Sequence, residues 1–295
     1  MHGLFIGRAT VDLIQQVERF PGADDKAVAA GTALTGGGPA LNAAITFAHL
    51  SAPLGGRATL MARVGRDNPL SDLLREECAR HGVELIDLAG DPEFRPSVSG
   101  VLSARDRGTR CCVTGPEAGA GGLAAVGLPD LAGVDVILLD QFQPDFLRAH
   151  AGQLRRARAD VVLDGGSWKP WSAEVLQLAR LPVVSERFLE GHAAPAAEVL
   201  AGHGFARFAV THGARGVSYR DGGADGQLPA PEVTAVDTLG AGDIFHGAFC
   251  FHHARGDSFA DALAAASRIA AASTRHLGPR AWMAAPDPIA APDPC

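Results

Sequence analysis

The strongest constraint on this chain is a short segment in which an apolar run, two glycines and a helical pattern follow one another. Residues 233–236 favour a β-strand, Gly240 and Gly242 favour a turn, and apolar side chains recur at helical spacing from Ile244 onward. The first backbone amides of a helix have no internal partner and the helix dipole is positive there, so such a place favours an anion. The segment therefore predicts a phosphate-binding turn between a strand and a helix.

Asp243 is the unusual residue of this turn, because a carboxylate is badly placed in an anion site unless it handles a proton. In phosphoryl transfer, a carboxylate takes the proton of the attacking hydroxyl, and the pattern suggests this function for Asp243. The structural alternative is that the glycines form an ordinary turn and Asp243 caps the helix. A Gly-x-Gly-Asp string standing alone favours that alternative.

Strand and helix patterns alternate along most of the chain, which predicts a mainly parallel sheet with helices on both faces. The predicted strands of this sheet are 3–9, 59–65, 83–88, 134–139, 161–163, 183–184, 208–211, 217–219 and 233–236, and the main predicted helices are 70–81, 145–157, 171–179, 195–203, 243–254 and 258–274. Residues 97–103 and 109–114 are β-rich with no helix between them, so we expect a hairpin in a small second sheet. Residues 11–17 and 27–34 are candidates for its other strands.

Composition narrows the function classes. The net charge is −7 and no basic cluster suggests a nucleic-acid partner. The chain has no run of about 18 apolar residues, so no membrane span is expected. Its five cysteines show no zinc-like spacing, the odd count fits a reducing compartment, and the first residues show no leader pattern. We expect a cytoplasmic protein with small-molecule ligands.

A glycine-rich loop, residues 36–42, precedes the first predicted helix and ends in Asn42, whose amide can bond sugar hydroxyls. Standing alone, the loop slightly favours the alternative of a flexible connector with an Asn helix cap. In an open α/β sheet, ligands bind at the carboxyl ends of the strands. Six polar residues lie at or just after predicted strand ends: Asp12, Asp140, Asp164, Ser185, Thr211 and Asp237.

Three motifs together resemble the ribokinase-like (pfkB) carbohydrate kinases. The string from Asp237 to Phe249 is similar to their C-terminal signature, residues 37–42 to their Gly-Gly-x-Ala-x-Asn sugar motif, and residues 210–216 to their Val-Thr-x-Gly-x-x-Gly nucleotide loop. The resemblance implies a three-layer α/β/α core with a mainly parallel sheet and a small β-sheet lid. It also implies one kinase domain over residues 1–295, with the lid formed from parts of 11–34 and 96–113.

The resemblance assigns roles residue by residue. Asp243 is the expected base, with Gly240, Ala241 and Gly242 stabilising the transferred group; Asp12, Gly37, Gly38 and Asn42 are expected to hold the sugar, and Thr211, Gly213 and Gly216 the nucleotide. Asp237 marks a candidate site for a monovalent cation. ATP and Mg²⁺ are the expected cofactors, with K⁺ as a further candidate.

The chain departs from the family pattern at two places. Pro39 stands where many members have Asn or Lys. Many members have Asn-x-x-Glu at the places of Ser185 and Phe188, and that motif orders Mg²⁺ through water. Glu186 therefore becomes the candidate for ordering Mg²⁺ through water in this chain. The ketohexokinase-like branch of the family also departs from Asn-x-x-Glu, and this chain is a candidate member of that branch.

The expected reaction is transfer of the ATP γ-phosphoryl group to a primary hydroxyl of a ribose-like or ketohexose-like sugar. The alternatives are a nucleoside kinase of the adenosine-like type and a non-catalytic sugar or nucleotide sensor on the same scaffold. Small polar residues of the predicted lid, Ser97 and Ser99, favour a sugar over a stacked base. A homodimer formed through the lid is a further expectation, because exposed sheet edges invite pairing.

Overall fold

A large sheet of nine strands organises the molecule, which was analysed as a computed structural model. The structure describes residues 1–106, 108–118, 122–190, 192 and 194–285. The strand order is β13-β12-β11-β10-β9-β8-β1-β4-β5. The strands are β1 His2–Ile6, β4 Arg57–Ala62, β5 Val83–Asp87, β8 Val136–Leu139, β9 Asp160–Gly165, β10 Leu181–Ser185, β11 Arg207–Thr211, β12 Val217–Asp221 and β13 Ala224–Leu228.

From β5 to β11 all neighbouring strands are parallel, as expected where helices connect them. The remaining edge is different: β12 pairs antiparallel with β11, and β13 with β12. The reason is local, because only the short loop around Gly213 separates β11 from β12, which is too short for a crossover helix. Strand β13 was not predicted from the sequence.

Within the described residues, eight α-helices cover the two faces of the sheet. They are α1 Pro39–Ser51, α2 Pro69–Arg80, α3 Pro144–Ala149, α4 Ala151–Arg156, α5 Ser172–Leu176, α6 Ala196–Gly202, α7 Ala241–Ala254 and α8 Phe259–Ser273. One buried cluster joins the sheet to α1, α2, α7 and α8, and a second joins its other face to the four helices α3 to α6. These two apolar layers confirm the predicted three-layer α/β/α arrangement.

A second, four-stranded sheet forms the lid, with the order β3-β2-β6-β7. Its strands are β2 Thr10–Val17, β3 Gly31–Gly37, β6 Val98–Ala104 and β7 Thr109–Thr114. The β6–β7 hairpin and β2 lie where the sequence predicted them. Strand β3 begins later than expected, at Gly31 instead of residue 27, and runs directly into the glycine loop. Lid strand and glycine loop are therefore one continuous segment.

Two sequence predictions are wrong in detail. Residues 233–236 form no strand; the amides of Val236 and Asp237 bond instead to the carbonyl of Thr274. A β-favouring run forms a strand only where a sheet edge is available, and here the neighbouring chain is the end of α8. The predicted helix 145–157 is two short helices, α3 and α4, that meet at His150. The expectations for Arg107 and for residues 286–295 lie outside the described residues.

Candidate active site

Two buried carboxylates stand at the carboxyl ends of neighbouring central strands, as predicted. Asp140 follows β8 and accepts hydrogen bonds from the amides of Arg8 (2.7 Å), Phe142 (2.9 Å) and Ala40 (3.2 Å). These bonds fasten the β1–β2 connection and the start of α1 to the sheet. Burial raises the pKa of Asp140 to about 7. Asp164, at the end of β9, is also buried, and burial raises its pKa too.

The glycine loop brings Asp12 into the same region. Asp12 is the third residue of lid strand β2, not a residue between strands, and it accepts a hydrogen bond from Thr10 Oγ1 at 2.7 Å. A β-carbon at Gly37 would lie 2.0 Å from Asp12 Oδ2, and one at Gly38 (φ 92°) would lie 2.6 Å from the Arg8 carbonyl oxygen. Only glycine fits at these two positions. The loop thus gives the Asp12 carboxylate its place at the root of the lid.

Two helices that lie far apart in the sequence carry Asn42 and Asp243 into contact. Helix α7 packs closely on α1, since a β-carbon at Gly247 would lie 2.4 Å from the carbonyl oxygen of Ala43. Asn42 Nδ2 donates a hydrogen bond to Asp243 Oδ2 at 2.7 Å. Gly240, in the left-handed conformation at φ 72°, is the residue directly before α7. The predicted sugar-binding amide and the predicted base are therefore adjacent at the first turn of the anion-favouring helix.

Burial and the negative charge of Asp164 raise the pKa of Asp243 to about 6, whereas the hydrogen bond from Asn42 opposes the rise. His246, one turn along α7, lies with Nδ1 3.4 Å from Asp164 Oδ2. Its two ring nitrogens face the carbonyl oxygens of Gly242 (2.7 Å) and Val183 (2.8 Å). A base with a pKa near neutrality suits proton abstraction at physiological pH.

Sequence reasoning missed two residues of this region, Glu77 and Arg280. Glu77 lies on α2, where it reads as part of a polar helix face, and Arg280 lies after α8 in a segment without periodicity. Arg280 Nη1 donates to Asn42 Oδ1 at 2.8 Å and Nε donates to Glu77 Oε1 at 2.8 Å. No short motif surrounds either residue, so no sequence signal was available to find them.

The predicted nucleotide loop follows β11 at the same edge of the sheet. Thr211 is the last residue of β11, and Gly213 and Gly216 bracket a single 3₁₀ turn, with φ values of 59° and 92°. A β-carbon at Gly216 would lie 2.0 Å from the carbonyl oxygen of Leu228 on the antiparallel edge. His212, Arg215, Ser218 and Leu228 line an open cleft of about 510 Å³ beside this loop.

Glu186 lies beside the predicted nucleotide loop. Its carboxylate pairs with Arg215 and with His212 Nδ1 (3.0 Å), and these bonds lower its pKa below the usual range. Phe188, in the place of the family's Glu, is fully buried and packs on Trp168. A β-carbon at Gly165 would lie 2.9 Å from the Phe188 ring. Phe188 is therefore a core residue that cannot take the carboxylate's role.

Asp237 is buried beneath the glycine turn formed by residues 238–242 and follows a loop, not the predicted strand. It accepts hydrogen bonds from the amides of Leu239 and Gly278, each at 3.0 Å, and so ties the turn to the segment after α8. On the lid side, Arg110 of β7 donates to the hydroxyl of Thr238. The lid thus contacts the glycine turn directly in this structure.

The described residues contain no group of three or more His, Cys, Asp or Glu side chains placed to hold a metal ion. Asp164 Oδ2 is a buried oxygen for which the described residues supply no hydrogen-bond donor. One carboxylate together with nucleotide oxygens and water is a common environment for Mg²⁺, so the donors present fit an ion delivered with ATP. Within the same residues, no helix is long and apolar enough to cross a membrane.

Known proteins share this architecture. The ribokinase of Thermotoga maritima superposes with a TM-score of 0.75 at 22% identity, covering 98% of this chain and 97% of that one. The nucleoside kinase of Burkholderia thailandensis, solved in complex with inosine, gives 0.72 at 18% identity, covering 95% of this chain and 93% of that one. Identities this low show the ribokinase-like fold and not the substrate.

Sequence comparison adds a local match and a family. The ribokinase of Bacillus subtilis is 37% identical over 78 residues, which are 26% of this chain and 27% of that protein, so the match spans about a quarter of the relative's length. The model of the "pfkB family carbohydrate kinase" matches residues 3–286. The chain therefore belongs to the pfkB family of carbohydrate kinases, whose members are phosphotransferases acting on sugar hydroxyls.

Proposed function

We propose that this protein transfers the γ-phosphoryl group of ATP to a primary hydroxyl of a ribose-like or ketohexose-like sugar. In this reaction the hydroxyl oxygen forms a bond to the γ-phosphorus, the bond from that phosphorus to the β,γ-bridging oxygen breaks, and ADP leaves. The hydroxyl proton passes to Asp243. The amides of Gly240, Ala241 and Gly242, at the start of α7, stabilise the charge on the transferred group.

One observation carries this proposal: Asp243 stands at a glycine-bounded helix start, with its pKa raised to about 6, 2.7 Å from the amide of Asn42. A capping aspartate with no further role would bond the amides of its own helix turn. The hydrogen bond that Asp243 Oδ2 accepts comes from the Asn42 side chain on α1. Asp243 instead points toward the residues predicted to hold the sugar, which supports a base and not a cap.

In the proposed complex, Asp12, Gly37, Gly38 and Asn42 orient the sugar, and Thr211, Gly213 and Gly216 bind the nucleotide. Mg²⁺ would neutralise charge on the ATP phosphates. Asp164, whose Oδ2 accepts no hydrogen bond from the described residues, and Glu186 are the candidate carboxylates, the latter acting through water. The pairing of Glu186 with Arg215 and His212 supports a position for that role at the nucleotide end.

K⁺ is a proposed activator at Asp237. Both oxygens of this buried carboxylate already accept backbone amides, so the residue shapes the loop between the glycine turn and Gly278. A monovalent cation bound to carbonyls of that loop would stiffen the turn. Replacing K⁺ with Na⁺ in the assay tests this, and an unchanged rate contradicts it.

A homodimer through the lid is also proposed. Leu34, Leu13, Gly100 and Val113 stand in one register row across the four lid strands, and the three apolar side chains are 60%, 37% and 70% exposed. Such a row on one sheet face favours a partner surface. Sedimentation of Leu34→Lys beside wild type tests the dimer; identical sedimentation contradicts it.

The cytoplasmic location and a single domain over residues 1–295 stay predictions.

The direct test is ADP release from Mg-ATP with a panel of acceptors: ribose, fructose and other ketoses, deoxy-keto-gluconate, sugar phosphates, a sulfonated ketose, adenosine and inosine. Turnover on a sugar that Asp243→Ala abolishes supports the proposal. Turnover only on nucleosides supports the nucleoside-kinase alternative. Binding of ATP and sugar without any turnover in the wild type supports the sensor alternative and contradicts the kinase.

A further inference from the structure

Behind the acceptor side of the site lies a buried ion pair that no motif indicates. Glu77 and Arg280 have side chains only 6% and 15% exposed, and Arg280 Nε donates to Glu77 Oε1 at 2.8 Å. The Glu77 carboxylate also accepts from Thr35 Oγ1 and from the Gly36 amide, each at 2.8 Å. Both partners of the pair therefore act on the last residues of lid strand β3, directly before the glycine loop.

Arg280 extends this network to Asn42. Its Nη1 donates to Asn42 Oδ1 at 2.8 Å and its Nη2 to the Gly36 carbonyl at 3.0 Å. A guanidinium is planar and offers five donors in a fixed geometry, which a lysine ammonium cannot reproduce. Since three nitrogens of Arg280 already bond protein acceptors, the side chain is suited to orienting its neighbours and not to binding the sugar.

The consequence for Asn42 follows from donor and acceptor chemistry. Arginine only donates, so the amide of Asn42 must turn its oxygen toward Arg280 and its NH₂ toward Asp243. With the amide reversed, Asn42 Oδ1 would face the carboxylate of Asp243 and repel it. The hydrogen bond from Asn42 opposes the rise in the pKa of Asp243.

We propose that Arg280, supported by Glu77, is a positioning residue for the phosphoryl transfer: it holds the Asn42 amide with its NH₂ directed at Asp243 and keeps that base ionised. The inference rests on the proposed kinase function. Other charged or polar groups that act on Asp243 are Asp164 on β9, His246 on α7 and Arg110 on lid strand β7. Arg280 itself also acts on Asp243 through its charge. Arg280→Met leaves the other three groups in place, and combining it with Asn42→Ala separates this direct effect from the effect through Asn42.

The test compares Arg280→Met with Arg280→Lys and with Arg275→Met, a control at an exposed arginine of the same segment. We expect Arg280→Met to lower kcat/KM for the acceptor by about 10- to 100-fold and to move the acid limb of its pH profile to higher pH. KM for ATP should stay within about twofold. Arg280→Lys should recover part of the activity, and Arg275→Met should match the wild type.

A double-mutant cycle separates positioning from general damage. Because Arg280 acts through Asn42, adding Arg280→Met to Asn42→Ala should cost less than about twofold more. Full multiplication of the two losses, or an acid limb that does not move, overturns the inference. If Arg280→Met fails to fold because Glu77 loses its counter-charge, the Glu77→Gln/Arg280→Met pair removes both charges and is used in the same cycle.

A readout independent of turnover distinguishes failure of this inference from failure of the proposed function. The carboxyl carbon of Asp243 can be titrated by ¹³C NMR in the wild type and in Arg280→Met. A higher midpoint in the variant supports the positioning role even if no acceptor is phosphorylated. An unchanged midpoint overturns it, whatever the acceptor panel shows.

Discussion

In the proposed acceptor half of the site, side chains hold one another: Asn42 bonds both Asp243 and Arg280. In the proposed nucleotide half, Thr211, Gly213 and Gly216 offer mainly backbone, beside an open cleft, and the charged pair of Glu186 and Arg215 is largely exposed. The difference follows from what each half is proposed to do. Proton abstraction needs a base held at a fixed distance from the hydroxyl and with a fixed pKa. Phosphates and ribose can instead be bound by backbone amides that become ordered when the ligand binds.

The largest expected effect is that of Asp243→Asn, which removes the proposed general base of the acceptor half. We expect kcat to fall by about 10³-fold, since a general base contributes about 10²- to 10⁴-fold. Sugar binding measured by calorimetry should persist, because the hydrogen-bonding shape is kept. Asp225→Asn, on an exposed edge strand, is the control and should keep wild-type kcat. Normal turnover by Asp243→Asn would eliminate Asp243 as the base.

The same substitution should stabilise the fold at high pH. The pKa of Asp243 is raised to about 6, so the folded protein holds this proton more tightly than the unfolded chain, in which an aspartate titrates near 4. The stability from that proton is full below about pH 4 and lost as the pH rises through 6. Asp243→Asn removes the buried charge and should raise Tm at pH 8 by about 2 °C or more, and by less at pH 5. A Tm that falls equally at both pH values contradicts this expectation.

Matched glycine substitutions compare the two halves directly. Gly38→Ala and Gly216→Ala both force a side chain onto positive φ and against a carbonyl oxygen, at about 1–3 kcal/mol each. We expect Gly38→Ala to raise KM for the sugar and Gly216→Ala to raise KM for ATP, each by about tenfold. Gly166→Ala, where a β-carbon meets open space, is the control. If either variant raises both KM values alike, the division of the site into two halves does not hold.

A smaller effect concerns the pH profile. Activity should fall as the pH drops through about 6, because Asp243 must be ionised to accept a proton. The charge of Asp164 raises the pKa of Asp243, so Asp164→Asn should move this acid limb to lower pH by about half a unit. The profile of kcat/KM for the acceptor reports the shift. Movement of the acid limb to higher pH would contradict the assigned influence of the Asp164 charge on Asp243.

The smallest effect is expected in the nucleotide half. Glu186→Gln breaks an exposed ion pair with Arg215, and such pairs contribute about 0–1 kcal/mol. KM for ATP should change by less than about threefold and Tm by less than about 1 °C. Glu190→Gln, in the same exposed stretch, is the control. A loss of kcat beyond tenfold would show that Glu186 acts on the phosphates or Mg²⁺ by direct contact and not through water.

The two halves also differ in how far the sequence predicts them. Glycine turns such as those at Gly38, Gly213 and Gly240 follow from local backbone needs, so the loops of the site could be placed without a structure. The lid hairpin could be placed as well, because two β-rich runs without a helix between them must pair locally. These features depend on neighbouring residues alone.

What could not be predicted depends on distant partners. Residues 233–236 look like a strand, but the amides of Val236 and Asp237 bond instead to the carbonyl of Thr274, directly after α8. Strand β13, with the polar sequence Ala-Asp-Gly-Gln-Leu, forms only because β12 offers it an edge. Glu77 and Arg280 enter the site through tertiary contacts that span 203 residues. Periodicity and motifs carry no information about such pairs.

The hydrogen bonds of Asn42 have a consequence for how the chain matures. They join residues 201 and 238 positions apart, to Asp243 and to Arg280 respectively. Closing such long loops is slow and comes late, after local helices and strands have formed. During synthesis, the glycine loop and the lid are made first. Asn42 then lacks its hydrogen-bond partners Asp243 and Arg280 until residue 280 has been made. Chains that end before it, from premature termination or proteolysis, would keep most of the sheet yet lack a working centre.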